Sequence, residues 1–148
     1  MTQSDKDLLL RDLCARLPYG VMVSVKGGEF NYYKYPYQLT AVSKFGLDSF
    51  CKVYHPIYTP LDVPKVEDVK PYLRPISSMT EDEFLEYHSI KYNKVTYRHN
   101  YKRINVGKFY NVGIIPIKDY LDWLNVHHFD YLDLIPNGLA LEAPESMY

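Results

Sequence analysis

The segment over residues 21–56 constrains the fold most, because its apolar residues recur at every second position. In VMVSV (21–25) three valines alternate with other residues, and the alternation returns over 33–41. A period of two is the pattern of a half-buried β-strand. With SFCKVYHP (49–56) as a third run, the segment predicts a three-stranded antiparallel meander whose first two strands form a hairpin.

Two features modify the prediction for the second strand. Phe30 and Tyr32 fall out of phase with the later alternation, so we expect a bulge or bend near 31–33. Pro36 has no N–H to donate to a ladder, so we expect this strand to lie at an edge of the sheet.

Amphipathic periods of about 3.6 residues predict the helices. Ser4 with Asp7 resembles a capping box, and Thr80 with Glu83 forms a second one. We predict three helices, over residues 5–17, 81–92 and 117–127.

The remaining segments have weaker patterns. Residues 56–79 hold five prolines, which predict an irregular connection with a short turn near 66–70. Residues 95–112 fit a strand and turn as well as a loop. The tail, 130–148, is predicted to be loop, one short turn and extended chain.

Together these elements predict one α+β domain over residues 1–148, a small antiparallel sheet (three or more strands) packed with about three helices. A chain of 148 residues can bury a sizeable core. The net charge of −1 gives no global attraction to nucleic acid or to a membrane. No apolar run approaches the roughly 18–20 residues of a membrane span, and the N-terminus lacks a signal-peptide pattern. We therefore expect a cytoplasmic protein with no membrane association, in which Cys14 and Cys51 are free buried thiols.

The stretch WLNVHHFDY (123–131) contains the most conspicuous polar residues. In a helix, His128 would extend the apolar stripe of Leu121 and Leu124, which is a structural role. The alternative is a ligand or catalytic site in which Asp130 orients an imidazole. Adjacent helical residues point about 100° apart and rarely ligate one metal, so we predict no metal site and no cofactor.

A small-ligand site is a second hypothesis for the same region. The Ser77-Ser78 pair precedes a predicted helix N-terminus, where backbone N–H groups can hold an anion. The alternative is that these serines only turn the chain into its cap. No GxSxG, Walker A or GxGxxG motif is present, so the sequence leans against an enzyme. The candidate ligand-binding residues are Arg74, Ser77, Ser78, His128, Asp130 and Tyr131.

The stretch KYNKVTYRHNYKR (91–103) carries cations and tyrosines without an acid. Cations next to stacking rings are what single-stranded nucleic acid needs, although a solvated strand or loop explains the composition equally well. The candidate nucleic-acid-binding residues are Lys91, Lys94, Arg98, Tyr101, Lys102 and Arg103.

Tyrosine is unusually frequent, with 16 tyrosines against 6 phenylalanines. Tyrosine combines a large apolar face with a polar tip and favours recognition surfaces. The strip of Tyr33, Tyr35 and Tyr37 is therefore either a partner surface or a cover over the core under the first helix.

Three stretches carry a resemblance. LPYGVMVSV (17–25), KPYLRPISSMTEDE (70–83) and WLNVHHFDYLDLIPNGLALEAPESMY (123–148) resemble a group of short uncharacterised proteins of gut Bacteroidetes-type bacteria and their phages. Ser146 stands where that group often carries glycine. The resemblance implies a bacterial or phage source and an accessory role, without a mechanism.

The leading prediction is a small accessory protein that binds a host or phage protein. The alternatives are a single-stranded nucleic-acid binder that uses residues 91–103, and a small-ligand binder or enzyme with its site near Arg74 and His128.

Overall fold

A mixed β-sheet with three accompanying α-helices makes up the described part of the chain, which confirms the predicted α+β class. The computed structural model describes residues 1–26, 36–45, 48–55, 63–92 and 117–148. The strands are β1 (Met22–Val25), β2 (Tyr37–Phe45), β3 (Asp48–Tyr54), β4 (Val69–Leu73) and β5 (Leu141–Glu142), in the spatial order β3-β2-β1-β4-β5. The helices are α1 (Gln3–Arg16), α2 (Glu81–Tyr92) and α3 (Ile117–Val126), and short 3-10 helices occupy Leu17–Tyr19, Val66–Asp68 and Ile76–Ser78.

Strands β1, β2 and β3 form the predicted antiparallel meander. Met22 lies opposite Gln38, and Gln38 lies opposite Tyr54. The edge position predicted from Pro36 is wrong, because β2 pairs on both sides. Pro36 directly precedes the strand, so its missing N–H removes no bond from either ladder. The bulge or bend predicted near 31–33 lies outside the described residues.

The alternation of β2 breaks at Thr40. Leu39 lies opposite Val53, whereas Ala41 lies opposite Lys52, so Thr40 is an extra residue in this strand. An extra residue of this kind is a β-bulge, and it moves the following side chains to the other face of the sheet. Ala41 therefore leaves the core face that Leu39 occupies, contrary to the single alternation that we predicted.

A fourth strand lies within the connection predicted to be irregular. Strand β4 runs antiparallel to β1 although Pro71 is its central residue. Lys26 N donates to Asp68 O at 2.8 Å, and bonded pairs alternate along an antiparallel ladder. Pro71, which lies opposite Val23, therefore occupies a position where β1 needs no donor. The prediction of an irregular connection is therefore wrong for Val69–Leu73, whereas the short turn predicted near 66–70 is confirmed by the 3-10 helix Val66–Asp68. Residues 56–62 lie outside the described residues.

The tail after α3 contributes β5, which runs parallel to β4. Leu141 lies opposite Tyr72, and Glu142 lies opposite Leu73. The N–H of Ala143 extends the pairing by donating to Leu73 O at 2.8 Å. A strand of two residues is too short to produce a periodic sequence pattern, so the prediction of merely extended chain missed its place in the sheet.

Helix α1 begins earlier than predicted. The Thr2 hydroxyl accepts from Asp5 N at 3.2 Å, and the Asp5 carboxylate accepts from Thr2 N at 2.8 Å. This capping box satisfies the free N–H groups of the first turn. The box predicted from Ser4 and Asp7 is therefore wrong, and both residues lie inside the helix.

Two apolar clusters hold the elements together. In the first, Leu9 and Leu13 of α1 pack on the core face of the sheet, where Tyr37 is only 1% exposed. Tyr37 thus covers the core, while Tyr33 and Tyr35 lie outside the described residues. The second cluster joins α2, α3 and the chain after α3 through Tyr87, Trp123, Leu124 and Phe129.

Candidate functional site

The candidate site is centred on the segment after α3, and the conformation of this segment differs from the prediction. Helix α3 ends at Val126 rather than residue 127. His128 N donates to Asn125 O at 3.2 Å, Phe129 N donates to Leu124 O at 3.0 Å, and His128 has a φ of 57°. These bonds define a Schellman ending with His128 in the left-handed position. His128 therefore does not extend the apolar stripe, because the turn rotates its side chain away from the helix face.

Arg74 and this segment are adjacent in space. Arg74 N donates to His128 O, and Asp130 N donates to Arg74 O, both at 2.8 Å. The two bonds form a parallel bridge between Arg74 and Phe129 that continues the direction of β4. The structure thus brings together the two halves of the small-ligand site that the sequence suggested.

The side chain of Arg74 is engaged by a carboxylate of the same chain. Its Nη1 and Nη2 donate to Glu83 Oε1 and Oε2 at 2.6 and 2.9 Å, and its guanidinium carbon lies 4.4 Å from the centroid of the Phe129 ring. These hydrogen bonds lower the pKa of Glu83 to about 2, although partial burial opposes the shift. An external anion would therefore have to displace Glu83 before it could bind Arg74.

Asp130 and Tyr131 have structural partners as well. The Asp130 carboxylate accepts from Leu134 N and Ile135 N, both at 2.8 Å, which caps the next turn. The Tyr131 hydroxyl donates to Asn125 Oδ1 at 3.0 Å. These contacts order the segment and require no ligand.

The serine pair lies in the short 3-10 helix that leads into α2. Ser77 is exposed, and the Ser78 hydroxyl donates to Pro75 O at 2.8 Å. The Glu83 carboxylate accepts from Thr80 N at 2.8 Å, and Glu83 N donates to the Thr80 hydroxyl at 3.2 Å. This confirms the predicted capping box of α2.

The two histidines contact different residues. Nδ1 of His127 lies 2.9 Å from Trp123 O, and its ring stacks on the Trp123 ring at 4.0 Å. The His128 ring instead stacks on Tyr148, with 3.9 Å between centroids and an interplanar angle of 20°. Within the described residues, no group of three His, Cys, Asp or Glu side chains converges to hold a metal ion.

His128 is buried, and its environment favours the neutral imidazole. Burial lowers the pKa of His128 to about 4, and the positive charges of Arg16 and Arg74 act in the same direction. Burial also raises the pKa of the Tyr148 hydroxyl to about 12. The stacked pair is therefore an imidazole and a phenol, both uncharged at neutral pH.

A buried ion pair next to this segment was missed by the sequence analysis. Arg16 Nε donates to both carboxylate oxygens of Asp12 at 2.8 and 2.9 Å, and Arg16 Nη2 donates to Phe129 O at 2.8 Å. The side chains of both residues are 0% exposed. Because Asp12 follows Leu9 by three residues and Arg16 follows Leu13 by three, the spacing already placed both charges on the apolar face of α1.

The basic stretch remains a prediction. The backbone of Lys91 belongs to α2, and Lys94, Arg98, Tyr101, Lys102 and Arg103 lie outside the described residues.

A row of side chains crosses the sheet on the face opposite the first cluster. Tyr54 lies opposite Gln38, and Gln38 lies opposite Met22. Continuing the β1–β4 register by one residue puts Met22 opposite Tyr72, which lies opposite Leu141. We call these five residues the outer row. Each is exposed or half-buried, and Tyr54 is 47% exposed.

The fold and these contacts define a small α+β protein with a mixed sheet. No protein-family model matches the chain, and no curated protein or solved structure matches it. Among the helices of the described ranges, none has the length and apolar character to cross a membrane.

Proposed function

We propose that this chain is a small accessory protein that binds a host or phage protein through the outer row. The observation that carries the proposal is the exposure of Tyr54, 47%, at one end of a row that also contains Gln38 and Met22. Tyrosine provides a large contact area at low entropic cost and keeps a polar group for hydrogen bonding. Such residues carry much of the binding energy at protein interfaces.

The face of the sheet is a better binding surface than the edge of β3. Cys51 N donates to Pro64 O at 2.9 Å, and Phe50 forms a bridge with Lys65. These contacts already use part of the outer edge of β3, where an added strand would pair. A partner is therefore expected to contact side chains rather than extend the sheet.

The charge near the outer row favours a partner with acidic residues at the rim of its interface. Lys52 is exposed beside Tyr54, and Lys70 is half-buried on the same face. Positive side chains around an aromatic contact guide a partner of opposite charge and set its orientation.

The test compares two single alanine variants, Tyr54→Ala and Val126→Ala, at positions of matched exposure. Tyr54 is 47% exposed on β3, and Val126 is 46% exposed on α3. We expect wild type and Val126→Ala to retain one stoichiometric protein from a lysate of the source cells, and Tyr54→Ala to bind it at least about tenfold more weakly.

Two outcomes would contradict the proposal. One is that wild type, Tyr54→Ala and Val126→Ala retain the lysate protein equally. The other is that the retained material contains nucleic acid, and that nuclease treatment releases the lysate protein along with it. The second outcome would favour the basic stretch at residues 91–103 as the binding element. Nucleic-acid binding by this stretch would weaken with added salt.

A further inference from the structure

The hydroxyl of Tyr148 takes the place of a backbone hydrogen bond between β1 and β4. Bonded pairs follow one another at Lys26/Asp68 and Ser24/Lys70, so the next would join Met22 to Tyr72. The Tyr148 hydroxyl instead accepts from Met22 N at 3.0 Å and donates to Tyr72 O at 3.0 Å. The two strands thus present one donor and one acceptor to a single hydroxyl group.

The ring of Tyr148 stacks on the His128 ring, which serves as its platform, with 3.9 Å between the ring centroids. The backbone of His128 is in the left-handed region, with φ 57°, which is an unfavourable conformation for histidine. Gly138 holds the matching position of a second turn in the chain, with φ 69° and with Leu139 N donating to Leu134 O. A glycine adopts this conformation freely, whereas a histidine does so at a cost. The imidazole ring gives this position a stacking surface that glycine would lack.

Tyr148 lies partly at the surface. The residue as a whole is 42% exposed, although burial of its hydroxyl raises the pKa of that group. Within the described residues, the backbone is tied to the sheet up to Ala143, whose N–H donates to Leu73 O. Met147 N donates to the nearby Pro144 O, a contact within the turn that follows β5.

We propose that His128, Met22 N–H and Tyr72 C=O form a binding site for a phenol group, which Tyr148 fills in the free chain. The site selects a hydroxyl that both accepts and donates, on a ring that stacks with an imidazole. Free para-substituted phenols and tyrosine side chains share this chemistry. The proposal is independent of the protein-binding proposal, because phenol binding is measured without any partner.

The experiment uses the full chain with Tyr148→Ala, which empties the site. We expect p-cresol to shift the Met22 amide resonance saturably in this variant, and at least about tenfold more weakly in wild type, where Tyr148 competes. The comparison compound 4-methylanisole has the same ring but cannot donate to Tyr72 O, and we expect it to bind about tenfold more weakly, as for the loss of one hydrogen bond.

The double variant Tyr148→Ala/His128→Gly tests the platform. Glycine keeps the left-handed turn and removes the ring, so p-cresol binding should fall while the fold persists. N-acetyltyrosine amide separates the two ligand sources: binding of this compound as well as p-cresol shows that the site takes a tyrosine side chain, and binding of p-cresol alone restricts it to free phenols.

Equal affinity of wild type and Tyr148→Ala for p-cresol, or equal affinity for p-cresol and 4-methylanisole, would overturn the proposal. If Tyr148→Ala is unfolded by itself, folding in p-cresol but not in 4-methylanisole supports the site. Failure to fold in either compound counts against it.

Discussion

Replacing Arg16 by methionine tests the energetics of the buried polar centre. Methionine keeps most of the apolar stem of arginine but removes every donor. Arg16 is 0% exposed and Asp12 is 1% exposed, so water does not replace the lost partner. The change therefore leaves the Asp12 carboxylate unpaired inside the protein, and Phe129 O loses the donor that Arg16 Nη2 supplied.

The expected loss of unfolding free energy is about 3–5 kcal/mol, the usual cost of removing one partner of a buried pair. Replacing both charges with Asp12→Leu/Arg16→Met removes the unpaired carboxylate, so we expect a loss of only about 1–2 kcal/mol, mainly from Phe129 O.

Burial raises the pKa of Asp12, and Arg16 opposes the shift. Removing Arg16 should raise this pKa further. The loss in Arg16→Met should then be smaller at pH 4 than at pH 7, because an acid with a raised folded-state pKa favours the folded state at low pH.

Urea unfolding at pH 7, followed by circular dichroism, measures these differences. Arg11→Met is the matched control, because Arg11 is an exposed arginine of the same helix, and we expect a change within about 0.5 kcal/mol. The reasoning is refuted if Arg16→Met loses less than about 1 kcal/mol, or if Asp12→Leu/Arg16→Met loses as much as Asp12→Leu and Arg16→Met lose together when each is made alone.

Three further predictions concern titratable groups. Because the folded-state pKa of His128 is lowered to about 4, wild type should lose stability as pH falls from about 6.5 to 4, and His128→Asn should lack this loss in urea titrations; equal slopes would contradict it. The pKa of Glu83 is lowered to about 2 by Arg74, so stability present above about pH 4.5 should fall towards pH 2, and Glu83→Gln should flatten this part of the profile. Burial raises the pKa of Cys51 to about 12, while Cys14 is exposed, which corrects our expectation that both thiols are buried. Iodoacetamide at pH 8 should therefore label Cys14 before Cys51 in the native protein and both together in urea, as followed by mass spectrometry.

Local patterns were sufficient for the elements whose stabilising contacts are close in sequence. The capping box of Thr80 and Glu83 predicted the start of α2, and the alternation of VMVSV predicted β1 with Val23 and Val25 buried. Caps and period-two burial depend on residues a few positions apart, so the sequence displays them directly.

The candidate site was predictable only as a set of residues. The sequence singled out Arg74, His128 and Asp130, and the structure brings them to one bridge. The sequence did not predict that Glu83 pairs with Arg74 or that Tyr148 stacks on His128, because those contacts depend on the fold of the whole chain. Arg16 and Asp12 were visible at helical spacing but were not recognised as buried.

What the sequence by itself determined is therefore the α+β class, the β1–β3 meander and the three helices. What only the tertiary structure decided is the interior position of β2, the strand around Pro71, the parallel pairing of β5 and the left-handed turn at His128. No glycine marks the left-handed turn at His128, and a strand's neighbours are set by hydrogen bonds between residues distant in sequence. Those bonds leave no periodic trace in the segments that make them.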